Sequence, residues 1–278
     1  MHDHFQQIDR WRSELLAECL AKAEDPPGLR TLTLPTGSGI TLISLGYALK
    51  HAARYGKTRI IFVIPYTSII EQNAAKFREV LGEAVVLEHH SNVRWEPGEE
   101  LAEDYPSLEM KRELAAENWD APVIVTTNMQ FFESLYANKR SRCRKLHNIA
   151  NSVIVFDEAQ MMNGDFFKPF VYALEELARN YRCSILLCTA TQPDVGKLFP
   201  RPLDIPDLIH NVPERFEQFK RVTLQSAGKL TLEKLAPQLI AENQVPWMPS
   251  FCAIMSRTRL EAIAHEDAGT GSQLWELT

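Results

Sequence analysis

Three absences in this 278-residue sequence narrow the class of protein. No uninterrupted apolar stretch approaches the roughly 18 residues of a membrane-spanning helix, and the first residues, MHDHFQQIDRW, contain no apolar core of a signal peptide. The five cysteines form no CxxC pair, and their odd number favours a reducing compartment. We therefore expect a cytoplasmic protein with no membrane partner.

The sequence also lacks an excess of positive charge. It contains 30 lysine and arginine residues against 36 aspartate and glutamate residues, so its net charge is −6. Proteins that coat nucleic acid without sequence preference are usually basic, so any nucleic-acid contact must be local. The cluster KRSRCRK, Lys139–Lys145, fits such a contact and a solvated loop equally well.

What the sequence does contain is an alternation of short apolar runs and longer segments with helical spacing. The runs are rich in valine, isoleucine and leucine, as expected for strands covered on both faces. They lie at Leu29–Leu34, Arg59–Ile64, Val85–Leu87, Val123–Thr126, Ser152–Phe156 and Ser184–Cys188. This alternation predicts an α/β fold, a doubly wound parallel sheet with flanking helices.

The same patterns divide the chain into four segments. Residues 1–28 are predicted to form an N-terminal helix and a lead-in that ends in DPPG. Residues 29–200 form the α/β lobe, and residues 201–248 form a linker or extension in which prolines recur. Residues 249–278 read as the start of an incomplete second lobe.

Two local patterns give more detailed expectations. Ser68 and Glu71 form an S-x-x-E capping box, which predicts a helix that opens at Ser68 and runs to about Leu81. His89 and His90 are adjacent on a predicted strand, so their side chains should point to opposite sides and not share a metal ion.

A candidate phosphate-binding loop, LPTGSGITL, follows the first predicted strand and opens a helix. Its glycines let consecutive backbone N–H groups point at an anion, and the helix N-terminus adds partial positive charge. Thr41 is placed to give its hydroxyl to a magnesium ion. The candidate ATP-binding residues are Thr36, Gly37, Ser38, Gly39, Ile40, Thr41 and Leu42.

Ile40 stands where such loops carry lysine. The lysine ammonium reaches the terminal phosphates and offsets the charge that develops during phosphoryl transfer. Isoleucine has neither donor nor charge, so we expect weak nucleotide binding through the backbone amides and Thr41, with impaired hydrolysis. Taken alone, TGSG is explained about equally well as an ordinary glycine turn.

Two further motifs follow later strands. Asp157 and Glu158 stand at the carboxyl end of a predicted strand, where open α/β sheets bind ligands. Asp157 would hold magnesium, and Glu158 would orient or deprotonate the attacking water; Gln160 completes the DEAQ box. An Asp-Glu pair is common at strand ends, but a phosphate loop, a DEAQ box and a third motif in this order, each after a predicted strand, are specific. The third motif, which can link nucleotide state to domain position, comprises Thr189, Ala190 and Thr191.

These motifs resemble superfamily 2 helicases of the DEAD/DEAH-box type, and most of all the helicase part of the CRISPR-associated helicase-nuclease of type I systems. The similarity covers about residues 10–200. It is carried by LPTGSG, IIFVIPYTSIIEQNA, LEHHS, VIVTTNMQFFESLY, VFDEAQMM and LLCTATQP. DEAQ followed by TATQP is more specific to the CRISPR family than the DEAD and SAT motifs of generic RNA helicases.

The resemblance implies a RecA-like lobe with ATP and Mg²⁺ as cofactors, and single-stranded DNA and a CRISPR RNA-guided surveillance complex as partners. It also implies that the helix around Arg12 covers the adenine. Hydroxyls, amides and backbone N–H groups at two strand ends would contact the DNA backbone. Thr67, Ser68 and Asn128 also precede helical patterns, and capping a helix is compatible with such a contact. The implied DNA contacts are Pro65, Tyr66, Thr67, Gln72, Thr126, Thr127 and Asn128.

The sequence departs from that family at Ile40, in the absence of the HD nuclease motifs, and in the second lobe, of which most is missing. We therefore expect a chain with little activity alone, which a separate HD nuclease and second lobe would complete. Two alternatives remain open: a non-hydrolysing nucleotide- or DNA-binding remnant that acts through protein contacts, and a generic DEAD/DEAH-box RNA helicase lobe. The DEAQ and TAT motifs disfavour a small-molecule kinase.

Overall fold

The computed structural model describes residues 2–90, 114–138, 143–159, 167–190 and 205–220. The helices of these ranges include α1 (His2–Lys22), α2 (Ile40–Tyr55), α3 (Thr67–Leu81), α4 (Asn128–Tyr136), α5 (Leu146–Ile149), α6 (Phe167–Asn180) and α7 (Val212–Gln218). The strands are β1 (Leu29–Thr33), β2 (Arg59–Ile64), β3 (Val86–His89), β4 (Val123–Thr127), β5 (Ser152–Phe156) and β6 (Ser184–Thr189). None of the described helices is both long and apolar enough to cross a membrane.

The strands form one parallel sheet in the order β1-β6-β5-β2-β4-β3. The connection from β1 through α2 to β2 passes over the positions of β6 and β5. The chain later returns through α6 to β6, which lies beside β1. This confirms the predicted fold class, and each predicted strand lies within two residues of an observed one. Open α/β sheets bind ligands outside the carboxyl ends of their strands, which here include the ends of β1, β6 and β5.

Helices cover both faces of the sheet, because successive strand residues point in opposite directions. Phe62 of β2 faces α1, α2 and α3 and packs on Phe77 with ring centroids 4.5 Å apart. The preceding residue, Ile61, faces α4, α5 and α6, where Phe156 and Phe170 also meet at 5.2 Å. Both layers are apolar, which fixes the strand register and therefore the position of every strand end.

Residues 205–220 lie against β1 within the first compact unit of the chain, which ends at Lys220. The Thr31 amide donates to the Pro206 carbonyl at 3.1 Å, and the Leu208 amide donates to the Thr31 carbonyl at 2.9 Å. The carboxylate of Asp207 accepts from the hydroxyls of Thr31 and Thr33 at 2.9 and 2.6 Å. This part of the predicted linker is therefore bound to the lobe as a strap, a name we keep for residues 205–220.

The predicted capping box at Ser68 is wrong. Helix α3 begins one residue earlier, at Thr67, and its N-cap is Tyr66 in extended conformation without a side-chain capping bond. Ser68 consequently lies inside the first turn rather than before it. Helix α4 does have a side-chain cap, since the Thr127 hydroxyl accepts from the Gln130 amide at 3.0 Å.

Candidate functional site

The segment between β1 and α2 has the backbone geometry of a loop that surrounds an anion. Gly37 and Gly39 have φ angles of 84° and 90°, a region that residues with a Cβ rarely adopt. Gly39 is the N-cap of α2, and its carbonyl accepts from the amides of Leu42 and Ile43 at 3.0 and 3.1 Å. The loop therefore ends at a helix N-terminus, where orphan N–H groups favour negative charge.

Ser38 lies at the centre of this loop. Its side chain is fully buried, and its hydroxyl oxygen has no hydrogen-bond partner among the described residues. A buried hydroxyl without a partner costs about 1–3 kcal/mol, so the loop holds an unused donor and acceptor that a bound phosphate could satisfy. This observation supports the fit of a nucleotide.

The three residues after Gly39 differ in what they offer a ligand. Ile40 is partly buried and packs against the apolar layer beneath α2, so it brings no charge to the loop. Thr41 is partly exposed, and Leu42 is 49% exposed on the outer side of the helix. Thr41 therefore remains the side chain with an oxygen for a cation at the start of α2.

The acidic pair follows β5. The Asp157 amide extends the sheet by donating to the Val63 carbonyl at 2.9 Å, and Glu158 adopts a left-handed φ of 51°. Burial raises the pKa of the Asp157 carboxyl from its usual 3.8 to about 6, the Glu158 charge adds to the rise, and the hydrogen bond from the Glu158 amide opposes it. A buried carboxylate that costs energy to ionise would gain from a nearby cation.

Strand pairing brings the loop and the acidic pair to one edge of the sheet. Thr33 of β1 pairs with Thr189 of β6, and Leu187 of β6 pairs with Phe156 of β5. The Leu34 amide, where the loop begins, donates to the Thr189 carbonyl at 3.1 Å. The phosphate loop, the third motif and the acidic pair thus follow three adjacent strands at the same carboxyl edge of the sheet.

The buried thiol of Cys188 interacts with groups on two of these elements. Cys188 is fully buried in β6, and burial first, then the charge of Asp157, raise its pKa, while a hydrogen bond with Ser44 of α2 lowers it. Cys188 of β6 therefore interacts both with helix α2 and with the acidic pair. Thr189 is buried and Ala190 is partly exposed; Gln160 and Thr191 lie outside the described residues.

The expected DNA contacts after β2 are accessible. Tyr66 is 48% exposed, Gln72 is exposed, and Pro65 and Thr67 are partly exposed. All four lie at or near the N-terminus of α3, at the same carboxyl edge of the sheet as the acidic pair. They offer an aromatic face, an amide and a hydroxyl to a strand that passes there.

The expected DNA contacts after β4 are largely used by the fold. Thr126 is fully buried, and its hydroxyl donates to the His89 carbonyl at 2.8 Å. Thr127 caps α4, and the side-chain oxygen of Asn128 is buried without a partner among the described residues. The adjacent Met129, which no sequence pattern singled out, is 65% exposed and is the accessible side chain at this strand end.

His89 and His90 have separate surroundings, as strand alternation predicts. His89 lies beside Trp119, whose indole donates to Nδ1 at 3.3 Å, and burial lowers the His89 pKa to about 4. Nε2 of His90 lies 2.9 Å from a carboxylate oxygen of Glu88, and the Arg78 guanidinium holds the other oxygen at 3.0 Å. An ion pair therefore stabilises this cluster.

Arg12 of α1 contacts the phosphate loop, whereas the resemblance placed its helix over the adenine. Its Nε and Nη2 donate to the Gly37 carbonyl at 3.2 and 2.8 Å. The two residues are 25 positions apart, and no motif in the sequence signals the contact.

Comparison with known proteins agrees with the fold. Residues 20–198 match the family described as DEAD/DEAH box helicase. The chain is similar to the CRISPR-associated nuclease/helicase Cas3 of Haloferax volcanii, with 29% identity over 208 residues that cover 69% of this chain and 22% of that protein. The chain thus spans less than a quarter of the length of this relative.

Solved structures with the same fold include two of Cas3 from T. fusca. The ATP complex has a TM-score of 0.53 and 18% identity, covering 77% of this chain and 23% of that chain. The structure of T. fusca Cas3 without a named nucleotide has a TM-score of 0.51 and 20% identity, covering 67% and 22%. At these identities the likeness concerns the fold, which is that of a RecA-like helicase lobe.

Proposed function

This chain belongs to the DEAD/DEAH box helicase family, and we propose that it forms the first, ATP-binding lobe of a motor that moves on single-stranded DNA in type I CRISPR interference. The observation that carries the proposal is the convergence of the phosphate loop and the acidic pair at adjacent strand ends. The similarity to Cas3 proteins supports the choice of pathway. The whole protein would act in the cytoplasm with a surveillance complex, a second helicase lobe and an HD nuclease.

In the proposed site the loop amides and the buried Ser38 hydroxyl receive the phosphates. Thr41 and Asp157 hold Mg²⁺, which supplies charge neutralisation at the phosphates when bound. Glu158 orients or deprotonates the attacking water, and Gln160 follows two residues later in the sequence. Hydroxyls of the third motif, Thr189 to Thr191, connect the nucleotide to the position of a second lobe.

The proposed DNA path runs over the N-termini of α3 and α4. In this proposal Tyr66 stacks on a base, a sequence-tolerant contact worth about 1–3 kcal/mol, and Gln72 and Thr67 contact phosphate or sugar. Thr126 and Thr127 use their hydroxyls within the fold. DNA contacts at the end of β4 would therefore come from backbone groups and from the Asn128 side chain.

Ile40 sets the expected rate. Without an ammonium at the terminal phosphates, the transition state loses an electrostatic contact of a kind worth about 3–4 kcal/mol in other enzymes, so hydrolysis is slow while binding persists. The packing of Ile40 into the apolar layer supports this. It also favours the second candidate function, a non-hydrolysing lobe that binds nucleotide or DNA and acts through protein contacts.

Binding of ATP with and without Mg²⁺, measured by titration calorimetry, tests the proposal. We expect Mg²⁺-dependent binding that Asp157→Ala weakens by about tenfold, because a charged metal ligand is lost. Asp120→Ala is the matched control, since Asp120 precedes β4 at the opposite end of the sheet and is exposed.

Absence of nucleotide binding under all conditions would contradict the proposed ATP site. Turnover stimulated by single-stranded DNA at about 1 per second or faster, a common enzymatic rate, would contradict the expected impairment and leave the motor assignment in place.

A further inference from the structure

The contact between Arg12 and the phosphate loop is two-pronged and charged. Two nitrogens of one guanidinium, Nε and Nη2, donate to the single carbonyl of Gly37, and Nη1 donates to Asp9 at 3.2 Å. The Arg12 side chain is 42% exposed and Asp9 is 71% exposed. The guanidinium is therefore partly exposed beside the loop, with Asp9 as its ion-pair partner on the same helix.

The helix that carries Arg12 is firmly held against α2. Leu15 and Cys19 of α1 are fully buried in the apolar layer. Gly46 of α2 allows the close approach, because a Cβ at that position would lie 3.0 Å from a methyl carbon of Leu16. The start of α2 is also the end of the phosphate loop, so the packing of the two helices fixes the position of Arg12 relative to Gly37.

The strap also contacts α1. Glu18 accepts from the His210 amide at 2.6 Å and pairs with Arg215 at 3.4 Å. The rings of Trp11, next to Arg12 in sequence, and Phe219 lie 5.6 Å apart. These contacts bring Arg12 to the loop on a rigid support, which is what a positioning group needs.

The peptide unit that Arg12 touches is part of the candidate phosphate cradle. The Gly37 carbonyl and the Ser38 N–H belong to the same planar amide, so a guanidinium on the carbonyl fixes the plane and polarises the N–H on the other side. The adjacent Gly39 has a φ of 90°, and a Cβ at that position would meet no atom within 4 Å. Gly39 itself therefore contributes no side-chain packing to the loop.

We propose that Arg12 is a positioning residue for the phosphate loop, and that its guanidinium contributes positive charge which Ile40 does not provide. This inference rests on the proposed function, since it requires polyphosphate to bind at the loop. The bidentate contact holds Gly37 in its left-handed conformation, and the charge attracts phosphate over a few ångströms.

The test compares Arg12→Ala with Arg10→Ala. Arg10 lies on the same helix, is 80% exposed and pairs locally with Glu14, so its loss controls for charge and for helix stability. We expect Arg12→Ala to weaken binding of ATP, and of inorganic tripolyphosphate as a competitor, by about tenfold. Arg10→Ala should change either by less than about twofold.

Two further variants separate charge from geometry. Arg12→Lys keeps the charge but loses the forked contact, so it should recover part of the affinity. In an Ile40→Lys background the new ammonium supplies charge at the loop, and Arg12→Ala should then cost only about threefold, because the two cations overlap in function.

A readout without nucleotide decides the positioning role separately. Hydrogen exchange of amides 36–41 in the ligand-free protein should be faster in Arg12→Ala than in Arg10→Ala, at equal thermal stability. Unchanged exchange together with unchanged ATP affinity would overturn the inference while the proposed function stands.

If tripolyphosphate binds neither the native protein nor Ile40→Lys, the proposed function fails, and the exchange data still decide whether Arg12 holds the loop. An effect on ATP without one on tripolyphosphate would place Arg12 at the base and overturn the inference.

Discussion

The carboxyl ends of β1, β6 and β5, which we call the nucleotide half, differ from the ends of β2 and β4, which we call the strand half. In the nucleotide half, Ser38 has a buried hydroxyl without a partner among the described residues, and Asp157 has a pKa raised to about 6. In the strand half, Thr126 and Thr127 have their hydroxyls bonded to the backbone. The nucleotide half keeps a buried hydroxyl without a partner among the described residues and a carboxyl that is costly to ionise, whereas both threonine hydroxyls of the strand half stabilise the fold.

This difference indicates where a ligand changes the energy of the protein. Unsatisfied groups and left-handed φ angles cost stability, and they persist at sites where binding relieves the cost. A nucleotide would satisfy the first half, whereas DNA would add contacts to a surface that is already stable. Asn128, whose buried side-chain oxygen has no partner in the described part of the chain, is the exception in the strand half.

The largest expected effect on ligand binding is that of Ile40→Lys on nucleotide affinity. A lysine at this position adds a charged donor to the loop, and we expect ATP to bind between about ten- and a hundredfold more tightly. Turnover should rise less than affinity, because the rest of the motor is also required. Leu42→Lys is the control, since it adds the same charge two residues later on an exposed face of α2. Equal tightening by both variants would show that the effect is only long-range charge.

Asp157→Asn should stabilise the protein at high pH. The folded pKa of about 6 lies above the usual 3.8, so the folded state binds a proton more readily, and stability falls as pH rises between about 4 and 6. Above pH 7 the native protein carries the full cost, of about 3 kcal/mol, which the neutral amide removes. Urea unfolding at pH 4 and pH 8 measures this; a gain at pH 8 and none at pH 4 is expected. Asp120→Asn, which changes an exposed carboxyl group before β4, is the matched control.

Thr127→Ala should destabilise the strand half by about 1 kcal/mol, because α4 loses its side-chain cap. Thr67→Ala is the matched control, since α3 has no side-chain capping bond and Thr67 lies inside the helix. Urea midpoints at pH 7 compare the two variants. A similar loss for both would contradict the assigned cap.

The sheet was predictable from the sequence because β2, β5 and β6 are continuous apolar runs that no helix pattern imitates. The positions of the glycines and of Asp157 followed, since their motifs stand at strand ends. The start of α3 was not predictable from Ser68, because the chain leaves β2 in extended conformation only as far as Tyr66.

Contacts between segments distant in the chain could not be predicted from the sequence. Asp207 and Thr31 are 176 positions apart, and Arg12 and Gly37 are 25 apart, and neither pair belongs to a periodic pattern. The strap was therefore predicted as part of a linker, and the Arg12 contact was missed. In both cases tertiary packing brings together groups whose neighbours in sequence give no signal.

The pairing of the strap with β1 has a consequence for solubility. Strand β1 is the outer strand on its side of the described sheet, and an outer strand with free N–H and C=O groups is a template for aggregation. Pro206 and Leu208 occupy the amide and carbonyl of Thr31, and Asp207 sets a carboxylate among the strand's hydroxyls. We expect a chain shortened to end before residue 205 to self-associate through this strand.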